Sequence, residues 1–225
     1  REGLMKQLHA LADASGVVTA DWNGFNVLHD AGGTVAALDI GFVPSTSAAA
    51  NPTAPELVYS LGAEDFDAPD GAFVVYQGHH GDRGAAAADV VLPGAAYTEK
   101  PATYVNTEGR AQRAMPALAP HGRAREDWKI VRALSEVCGA ALPYDDLAGV
   151  RARLAEVAPH FARVDDVEPA LWLNGATYAH VPAKSAKADD AVKLGSSVTN
   201  FYMTDAISRA SATMAKATKA RAANA

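Results

Sequence analysis

Apolar residues in the first part of the chain fall at helical spacing and then in short runs. Residues 2–14 place leucines at helical spacing and are followed by Gly16, which predicts a helix that ends there. The apolar pair Val17 and Val18 then predicts a strand. A second helix is predicted from Asn26 to Ile40, in spite of two glycines in its middle.

Three short apolar runs follow, each bounded by Gly, Pro or Asp. They cover Leu57–Leu61, Phe73–Tyr76 and Asp89–Leu92 and are rich in β-branched residues, which is typical of strands that are buried on both faces. Because helices and buried strands alternate, the pattern predicts an α/β fold with a mainly parallel sheet and flanking helices.

The apolar period becomes helical again from Glu126 onward. This predicts a helix that carries Cys138 in its apolar face, where the thiol packs as a small hydrophobe, with Gly139 as the cap at its end. A further helix is predicted to begin near Leu147 and to end near Pro159.

The last part of the chain is more polar and less periodic. Residues 165–199 predict an exposed excursion, because their charged residues offer little to a core. Residues 201–225 are Ala-rich and basic, which suits a helix or an extended arm that docks on a neighbour. We therefore expect an α/β domain over residues 1–165, and over 166–225 the excursion and a C-terminal arm with an extended tail.

Composition limits the possible functions. The 225 residues are 49% hydrophobic and carry a net charge of −6, which argues against duplex nucleic acid or an anionic membrane surface as the main partner. No stretch approaches the about 18 consecutive apolar residues that a membrane-spanning helix needs. Cys138 is the one cysteine, so iron-sulfur clusters and zinc sites built on several thiolates are excluded within the chain. Because the first residue is Arg1, we expect the chain to begin inside a longer product or after processing.

The densest polar segment is Gly78–Gly84, directly after a predicted strand. Ligands of open α/β sheets bind beyond the carboxyl ends of the strands, so this position favours a site. His79, His80 and Asp82 could bind a metal or carry protons, but no third ligand is marked by spacing. A structural turn is therefore the preferred interpretation over a metal site.

Two carboxylates lie in the next polar block, Glu99 and Glu108, without the spacing that a glycosidase pair requires. Hydrogen bonding to buried main-chain amides is their expected role. No nucleophile elbow, P-loop or GxGxxG motif is present. A local basic cluster is interpreted as a solvated or salt-bridged face, and it comprises Arg110, Arg113, Arg123, Arg125, Lys129 and Arg132.

The block YQGHHGDRGAAAADVVLPGAAYTEKPATYVNTEGRAQ, Tyr76 to Gln112, resembles the large iron-sulfur subunits of respiratory complex I, of the 75 kDa type. The resemblance continues through AREDWKIVRALSEVCGAALPYDDL, Ala124 to Leu147, and returns at NFYMTDAISRASATMAK, Asn200 to Lys216. Weaker similarity covers residues 21–42. Ala206 stands where the family often has Pro or Ser, and residues 167–198 match no recognised motif.

Part of the same block also resembles molybdopterin-dependent oxidoreductases, through Glu99, Thr103, Asn106, Glu108-Gly109-Arg110 and Gln112. The resemblance implies a molybdopterin-oxidoreductase-like α/β fold that complex I subunits keep as a scaffold, generally without molybdenum. It implies no catalytic, cofactor-binding or metal-binding residue in this chain. The 2Fe-2S and 4Fe-4S clusters of the family are expected in an N-terminal part that these residues do not include.

The expected function is that of a structural portion of NADH:ubiquinone oxidoreductase, which transfers electrons from NADH to ubiquinone and pumps protons. The implied partners are other peripheral-arm subunits, including the flavin-bearing and cluster-bearing ones, with no nucleic acid and only indirect membrane contact. The implied location is the matrix side of the mitochondrial inner membrane, or alternatively the cytoplasmic side of a bacterial inner membrane. Two other hypotheses remain open: a molybdopterin- or nucleotide-binding oxidoreductase fragment, and an assembly or scaffold protein that acts apart from complex I.

Overall fold

A computed structural model describes residues 2–19, 22–29, 31–43, 54–63, 65–81, 83–167 and 198–223. The helices are α1 Glu2–Ser15, α2 Thr34–Asp39, α3 Arg83–Ala86, α4 Asp127–Val137, α5 Leu147–Val157, α6 Ala206–Arg209 and α7 Ala212–Ala223, with a 3₁₀ turn at Pro159–Ala162. The strands are β1 Leu57–Leu61, β2 Phe73–Gly78, β3 Val90–Pro93, β4 Ala102–Val105 and β5 Ala111–Ala114.

The first three strands form a parallel sheet in the order β1-β2-β3, with β2 in the centre. Tyr59 is paired with Val75 across the first ladder, and Tyr76 with Val91 across the second. All three strands therefore end at the same edge, with the Gly78–Gly84 segment beyond β2. The predicted α/β class with a parallel sheet is confirmed.

The centre of this sheet is buried, but its flanks are not. Val74, Tyr76 and Gln77 of β2 are each at most 2% exposed, and Asp89 fixes the strand by accepting a hydrogen bond from the amide of Val74 at 2.8 Å. By contrast, Leu57 of β1 is 59% exposed. The prediction that all three strands are buried on both faces is thus wrong for β1 and β3, which are the two edge strands of the sheet.

A second, two-stranded antiparallel sheet is formed by β4 and β5, which the hydrophobic pattern did not predict. This hairpin supplies Val105 and Ala111 to a small core that also contains Ala158 and Phe161. Partly buried residues from the helices α2 and α5 pack against it, namely Val35, Ala36 and Leu154. The hairpin therefore ties the N-terminal segment to the end of α5.

The two predicted helices after the hairpin are present as α4 and α5. Asp146 caps α5 by accepting a hydrogen bond from the amide of Gly149 at 2.7 Å. α4 ends at Val137 with Cys138 as its C-cap, and Gly139 follows with φ of 72°, a left-handed conformation that glycine adopts without steric cost. Cys138 is exposed, so the prediction that its thiol packs in an apolar face is wrong.

Two predictions for the N-terminal region are wrong in extent. The second helix covers only Thr34–Asp39 instead of residues 26–40, because the two glycines precede its start instead of lying within it. The predicted strand after Gly16 is reduced to a single antiparallel bridge between Val18 and Asn23. The first helix has the predicted position.

The C-terminal residues form two helices, α6 and α7, and not an extended tail. Asp205 caps α6 through hydrogen bonds from the amides of Ile207 at 2.8 Å and Ser208 at 3.0 Å. Asn200 donates to the hydroxyl of Thr218 at 3.1 Å and so ties α7 to the segment before α6. The predicted excursion lies outside the described residues over 168–197. No helix in the described part of the chain has the length and apolar character that crossing a membrane requires.

Candidate functional site

The carboxyl edge of the parallel sheet is organised around the side chain of Gln77. This residue is the penultimate residue of the central strand and is fully buried, at 0% exposure. Its amide nitrogen donates to Asp127 Oδ1 at 2.9 Å and to the main-chain oxygen of Asp127 at 3.3 Å. Its amide oxygen accepts a hydrogen bond from the hydroxyl of Tyr59 on β1. One glutamine therefore links β1, β2 and the start of α4.

Backbone pairing brings α4 to this edge. Gly94 forms a parallel bridge with Arg125, and the amide of Ala95 donates to the carbonyl of Arg125 at 2.8 Å. The segment before α4 thus runs as a short extra strand beside the end of β3. A Cβ atom added at Gly94 would lie 2.8 Å from Asp127 Oδ1, so only glycine leaves room for this carboxylate.

Asp127 carries the charge of the network. It is the first residue of α4, where the helix dipole favours an anion, and its Oδ2 forms an ion pair with Lys100 Nζ. The exposed fractions of the Lys100 and Asp127 side chains are 22% and 27%. Burial, and then the negative charge of Asp127, raise the pKa of Tyr59, so its hydroxyl stays protonated and remains a donor.

These four residues, Tyr59, Gln77, Lys100 and Asp127, are called the edge network below. Each of them has a hydrogen-bond or ion-pair partner inside the network, and each comes from a different segment of the chain. The arrangement holds charge and polar groups in place and leaves no activated nucleophile or base among them. Sequence reasoning did not single out these four residues, because nothing in their spacing marks them as neighbours.

The predicted polar segment Gly78–Gly84 lies next to this network. His79 Nδ1 and His80 Nδ1 are 2.8 Å apart, and the hydroxyl of Tyr76 donates to the carbonyl of His80 at 3.0 Å. Arg83 pairs with Asp65 at 2.9 Å and also with Asp67. Asp82 lies outside the described residues. Within the described ranges, no three His, Cys, Asp or Glu side chains converge as metal ligands would.

The two carboxylates of the following block have different environments. Glu99 accepts a hydrogen bond from the amide of Ala96 at 3.0 Å, as predicted for a main-chain partner. Glu108 is exposed and pairs with the side chain of Arg110 at 3.3 Å, so the prediction of a buried role is wrong for this residue. Asn106 performs that role instead, because its Oδ1 accepts from the amides of Glu108 and Arg110, both at 3.0 Å.

The predicted basic cluster contains salt-bridged residues on α4. Lys129 pairs with Glu126 at 2.7 Å, and Arg132 pairs with Glu136 at 2.8 Å and Asp145 at 3.0 Å. The hydrogen bond that Arg132 donates to Glu136 is the largest cause that raises the pKa of Arg132. These contacts agree with the interpretation of a salt-bridged face.

Comparison with protein families gives the context of this edge. The family model described as molybdopterin oxidoreductase matches residues 2–137, which is more than half of the chain. The chain belongs to this family. A second model, which describes the C-terminal region of an NADH-ubiquinone oxidoreductase component, matches residues 166–217. The predicted domain division at residue 165 stays a prediction.

This member of the molybdopterin oxidoreductase family is similar to three proteins whose names describe them as mitochondrial. It is 48% identical over 214 residues to the NADH-ubiquinone oxidoreductase 78 kDa subunit of Neurospora crassa, covering 93% of this chain and 28% of that protein. Its identity to the Candida albicans 78 kDa subunit is 50% over 207 residues, covering 88% and 28%. With the NADH dehydrogenase [ubiquinone] iron-sulfur protein 1 of Solanum tuberosum it shares 47% over 219 residues, covering 96% and 29%. The chain therefore spans less than a third of the length of these relatives.

The family name raises the question of whether the edge fits a molybdopterin. An anionic, phosphate-bearing cofactor needs amide or cationic donors that are free to point at it. Here the Gln77 amide and Lys100 are both used by Asp127, and Arg83 is used by Asp65 and Asp67. Among the described residues, these donors at the edge are thus paired within the chain and do not fit the cofactor's needs.

Proposed function

We propose that this chain is a structural portion of the large iron-sulfur subunit of an NADH-ubiquinone oxidoreductase. The observation that carries the proposal is the 48% identity over 214 residues to the Neurospora crassa protein, which extends through 93% of the chain. The two family models match successive parts of the sequence, residues 2–137 and 166–217. The chain supports electron transfer from NADH to ubiquinone, coupled to proton pumping, by packing within the assembly.

The chain contributes no redox centre to this function. Its one cysteine, Cys138, is exposed, whereas 2Fe-2S and 4Fe-4S clusters built on thiolates require several cysteines. The clusters belong to the part of the subunit that precedes the region matched here. The edge network supports the same interpretation, because its polar groups stabilise the domain internally.

The partners in this proposal are the flavin-bearing and cluster-bearing subunits of the peripheral arm. The names of all three similar proteins, those of Neurospora crassa, Candida albicans and Solanum tuberosum, end in "mitochondrial". This favours the matrix side of the mitochondrial inner membrane over the cytoplasmic side of a bacterial one. The proposal includes the division of the chain into an α/β part over residues 1–165 and an excursion with a C-terminal arm over residues 166–225.

Comigration in native material tests the proposal. The protein that contains this chain is tagged in its own organism, and mildly solubilised membranes are separated by native electrophoresis. We expect the tag to migrate with flavin fluorescence and with in-gel NADH oxidation. A tagged protein that migrates apart from both signals would contradict the proposal and favour a scaffold outside the complex.

A molybdopterin- or nucleotide-binding oxidoreductase is the second candidate, because the molybdopterin oxidoreductase model matches residues 2–137. The purified native protein is oxidised in acid, the fluorescent pterin derivative is measured, and molybdenum and released nucleotide are quantified. We expect all three at background level. A molar ratio near one for any of them would favour the second candidate.

A further inference from the structure

Charge is distributed very unevenly between the C-terminus and the rest of the chain. Residues 206–225 contain four Lys or Arg and no Asp or Glu. Residues 1–205 therefore hold 16 Lys and Arg against 26 Asp and Glu, a net charge of −10. A short basic segment thus follows an acidic body, which is typical of a segment that contacts an anionic surface.

The helix α7 presents its lysines on one side and packs with another. Lys216 and Lys219 are three residues apart, so they are neighbours on the helix surface, and both are exposed. Met214 and Thr218 are half-buried, and Thr218 is bonded to Asn200 at 3.1 Å. The contact that holds the helix is therefore made by Thr218, and the lysine amines are left for another surface.

These lysines have no carboxylate partner within 4.0 Å in the described part of the chain. The helix dipole stabilises the positive charge of Arg221, because Arg221 lies in the last turn. It does not stabilise the charge of Lys216, which lies in the middle of the helix. The lysine pair is thus unexplained by contacts among the described residues.

The stability of α7 also points to a missing partner. Isolated helices shorter than about 12–15 residues are marginal in water, and α7 has 12 residues and no acidic residue for ion pairs between successive turns. A docked face would supply the missing stabilisation.

The chemistry of α7 favours one class of partner. An interfacial membrane helix needs an apolar face with large side chains, and Met214 is the one large apolar residue of α7. Duplex nucleic acid would be repelled by the −10 charge of residues 1–205. An acidic protein surface does not need an apolar helix face, and its carboxylates complement the charge of the lysines directly.

We propose that Lys216 and Lys219 of α7 dock on an acidic surface of a neighbouring subunit. This inference rests on the proposed function and names a contact within the same assembly. Because exposed ion pairs of this kind are weak individually, the contact orients the C-terminal unit and adds to a larger interface.

Zero-length crosslinking of the native complex tests the contact, because carbodiimide joins a lysine amine directly to a carboxylate that touches it. We expect crosslinks from Lys216 or Lys219 to Asp or Glu residues of another subunit. The internal control is the pair Lys129–Glu126 at 2.7 Å, which would give the tryptic peptide 126–132 with the loss of one water. Crosslinks confined to this chain or to a second copy of it, or no crosslink when the control peptide forms, would overturn the proposal.

Charge variants give an independent measurement. K216E/K219E should raise the apparent constant for dissociation of the protein from the rest of the complex about tenfold at low salt, and by a smaller factor at high salt. K216R/K219R should keep binding and lose the crosslink, since guanidinium is not coupled by carbodiimide. R113E/R123E changes the net charge equally and should leave binding unchanged. If wild-type protein comigrates and K216E/K219E binds as tightly, only this inference fails; if wild-type protein does not comigrate, the proposed function fails.

Discussion

The carboxyl edge of the sheet and the C-terminal helical unit are stabilised by contacts of different range. Gln77 and Asp127 are 50 residues apart in sequence, and Lys100 and Asp127 are 27 apart. In the C-terminal unit, the bonds to Asp205 come from residues at most three positions away. The first region thus forms only when the whole α/β part has folded, whereas the second is specified largely by local sequence.

The two regions also use charge differently. At the edge, Lys100 is paired with Asp127 and both are largely buried. On α7, Lys216 and Lys219 lack a carboxylate partner among the described residues. Because its groups are paired with one another, we expect single substitutions at the edge to lower the stability of the sheet strongly. Substitutions in the C-terminal unit should lower stability only slightly, and only within that unit.

The largest expected effect follows from replacing Asp127 with alanine. Asp127→Ala leaves the fully buried Gln77 amide without its acceptor and Lys100 without its counterion. We expect the free energy of opening of β2 to fall by about 3 kcal/mol. Hydrogen exchange of the β2 amides in the intact protein measures this change.

Two variants control for this result. Asp127→Asn keeps an acceptor for Gln77 and removes only the charge, so it should cost about half as much. Asp166→Ala removes an exposed carboxylate and should change the same opening free energy by less than about 0.5 kcal/mol. Equal effects of the alanine substitutions at 127 and 166 would show that the edge network does not stabilise the sheet.

The next effect comes from crowding the same carboxylate. Gly94→Ala places a Cβ atom 2.8 Å from Asp127 Oδ1 and should displace it, at a cost of about 1–2 kcal/mol in the same exchange measurement. The cost should nearly vanish in the Asp127→Ala background, because the crowded atoms are then absent. Gly81→Ala, where the added Cβ meets nothing within 4 Å, serves as the matched control. Additive effects of the substitutions at 94 and 127 would contradict the coupling.

Local patterns predicted most of the secondary structure near this edge. The strands β1 to β3 and the helix α4 were predicted because short apolar runs and helical periodicity are visible within a few residues. The edge network was not predicted, since its members are distant in sequence and meet only through the parallel order of the strands. Gln77 in particular has no local signal that distinguishes it from a surface glutamine.

A smaller effect is expected in the C-terminal unit. Asp205→Ala removes the cap of α6 and should lower the opening free energy of that helix by about 1 kcal/mol. Asp205→Ser retains a capping oxygen and should lose a few tenths of a kcal/mol. Hydrogen exchange of the α6 amides measures both, and exchange in β2 should stay unchanged. A change in β2 equal to that in α6 would contradict the local character of the unit.

This cap should also depend on pH. The hydrogen bond from the Ser208 amide is the largest cause that lowers the pKa of Asp205 below its ordinary value of 3.8, against an opposing contribution from burial. Because the folded-state pKa is lowered, the stabilisation is fully present above about pH 4 and is lost as the pH falls through the lowered value. Hydrogen exchange as a function of pH should show this loss in the wild-type protein and not in Asp205→Ala.

Two wrong predictions have a common physical cause. Cys138 was expected in a buried face because of its spacing, yet Val137 beside it is 86% exposed, so the end of α4 extends past the residues that cover its start. Leu57 was expected to be buried because parallel strands usually are, yet it lies on an outer strand and is 59% exposed. Sequence spacing identifies which residues share a face, whereas only the tertiary arrangement determines whether that face is covered.

The smallest expected effect comes from a local ion pair that lies beside the edge network. It tests whether the sequence separation of a contact or its place in the fold determines its strength. Glu126 is the N-cap residue of α4 and Lys129 lies in its first turn, beside the edge network, but their pair is local and Lys129 is 47% exposed. Burial on its own would raise the pKa of Glu126, and the hydrogen bonds from Lys129 and Trp128 outweigh it and lower the pKa. Lys129→Met should therefore raise that pKa and reduce the opening free energy of α4 by only about 0.5 kcal/mol.

This loss of opening free energy should be present at neutral pH. It should disappear as the pH falls through the lowered pKa of Glu126, since the wild-type protein and Lys129→Met then both carry a neutral carboxyl group at Glu126. Hydrogen exchange of the α4 amides at several pH values measures it. If Lys129→Met lowered the opening free energy as much as Asp127→Ala, the strength of a contact would depend on its position near the edge network. It would then not depend on sequence separation and burial.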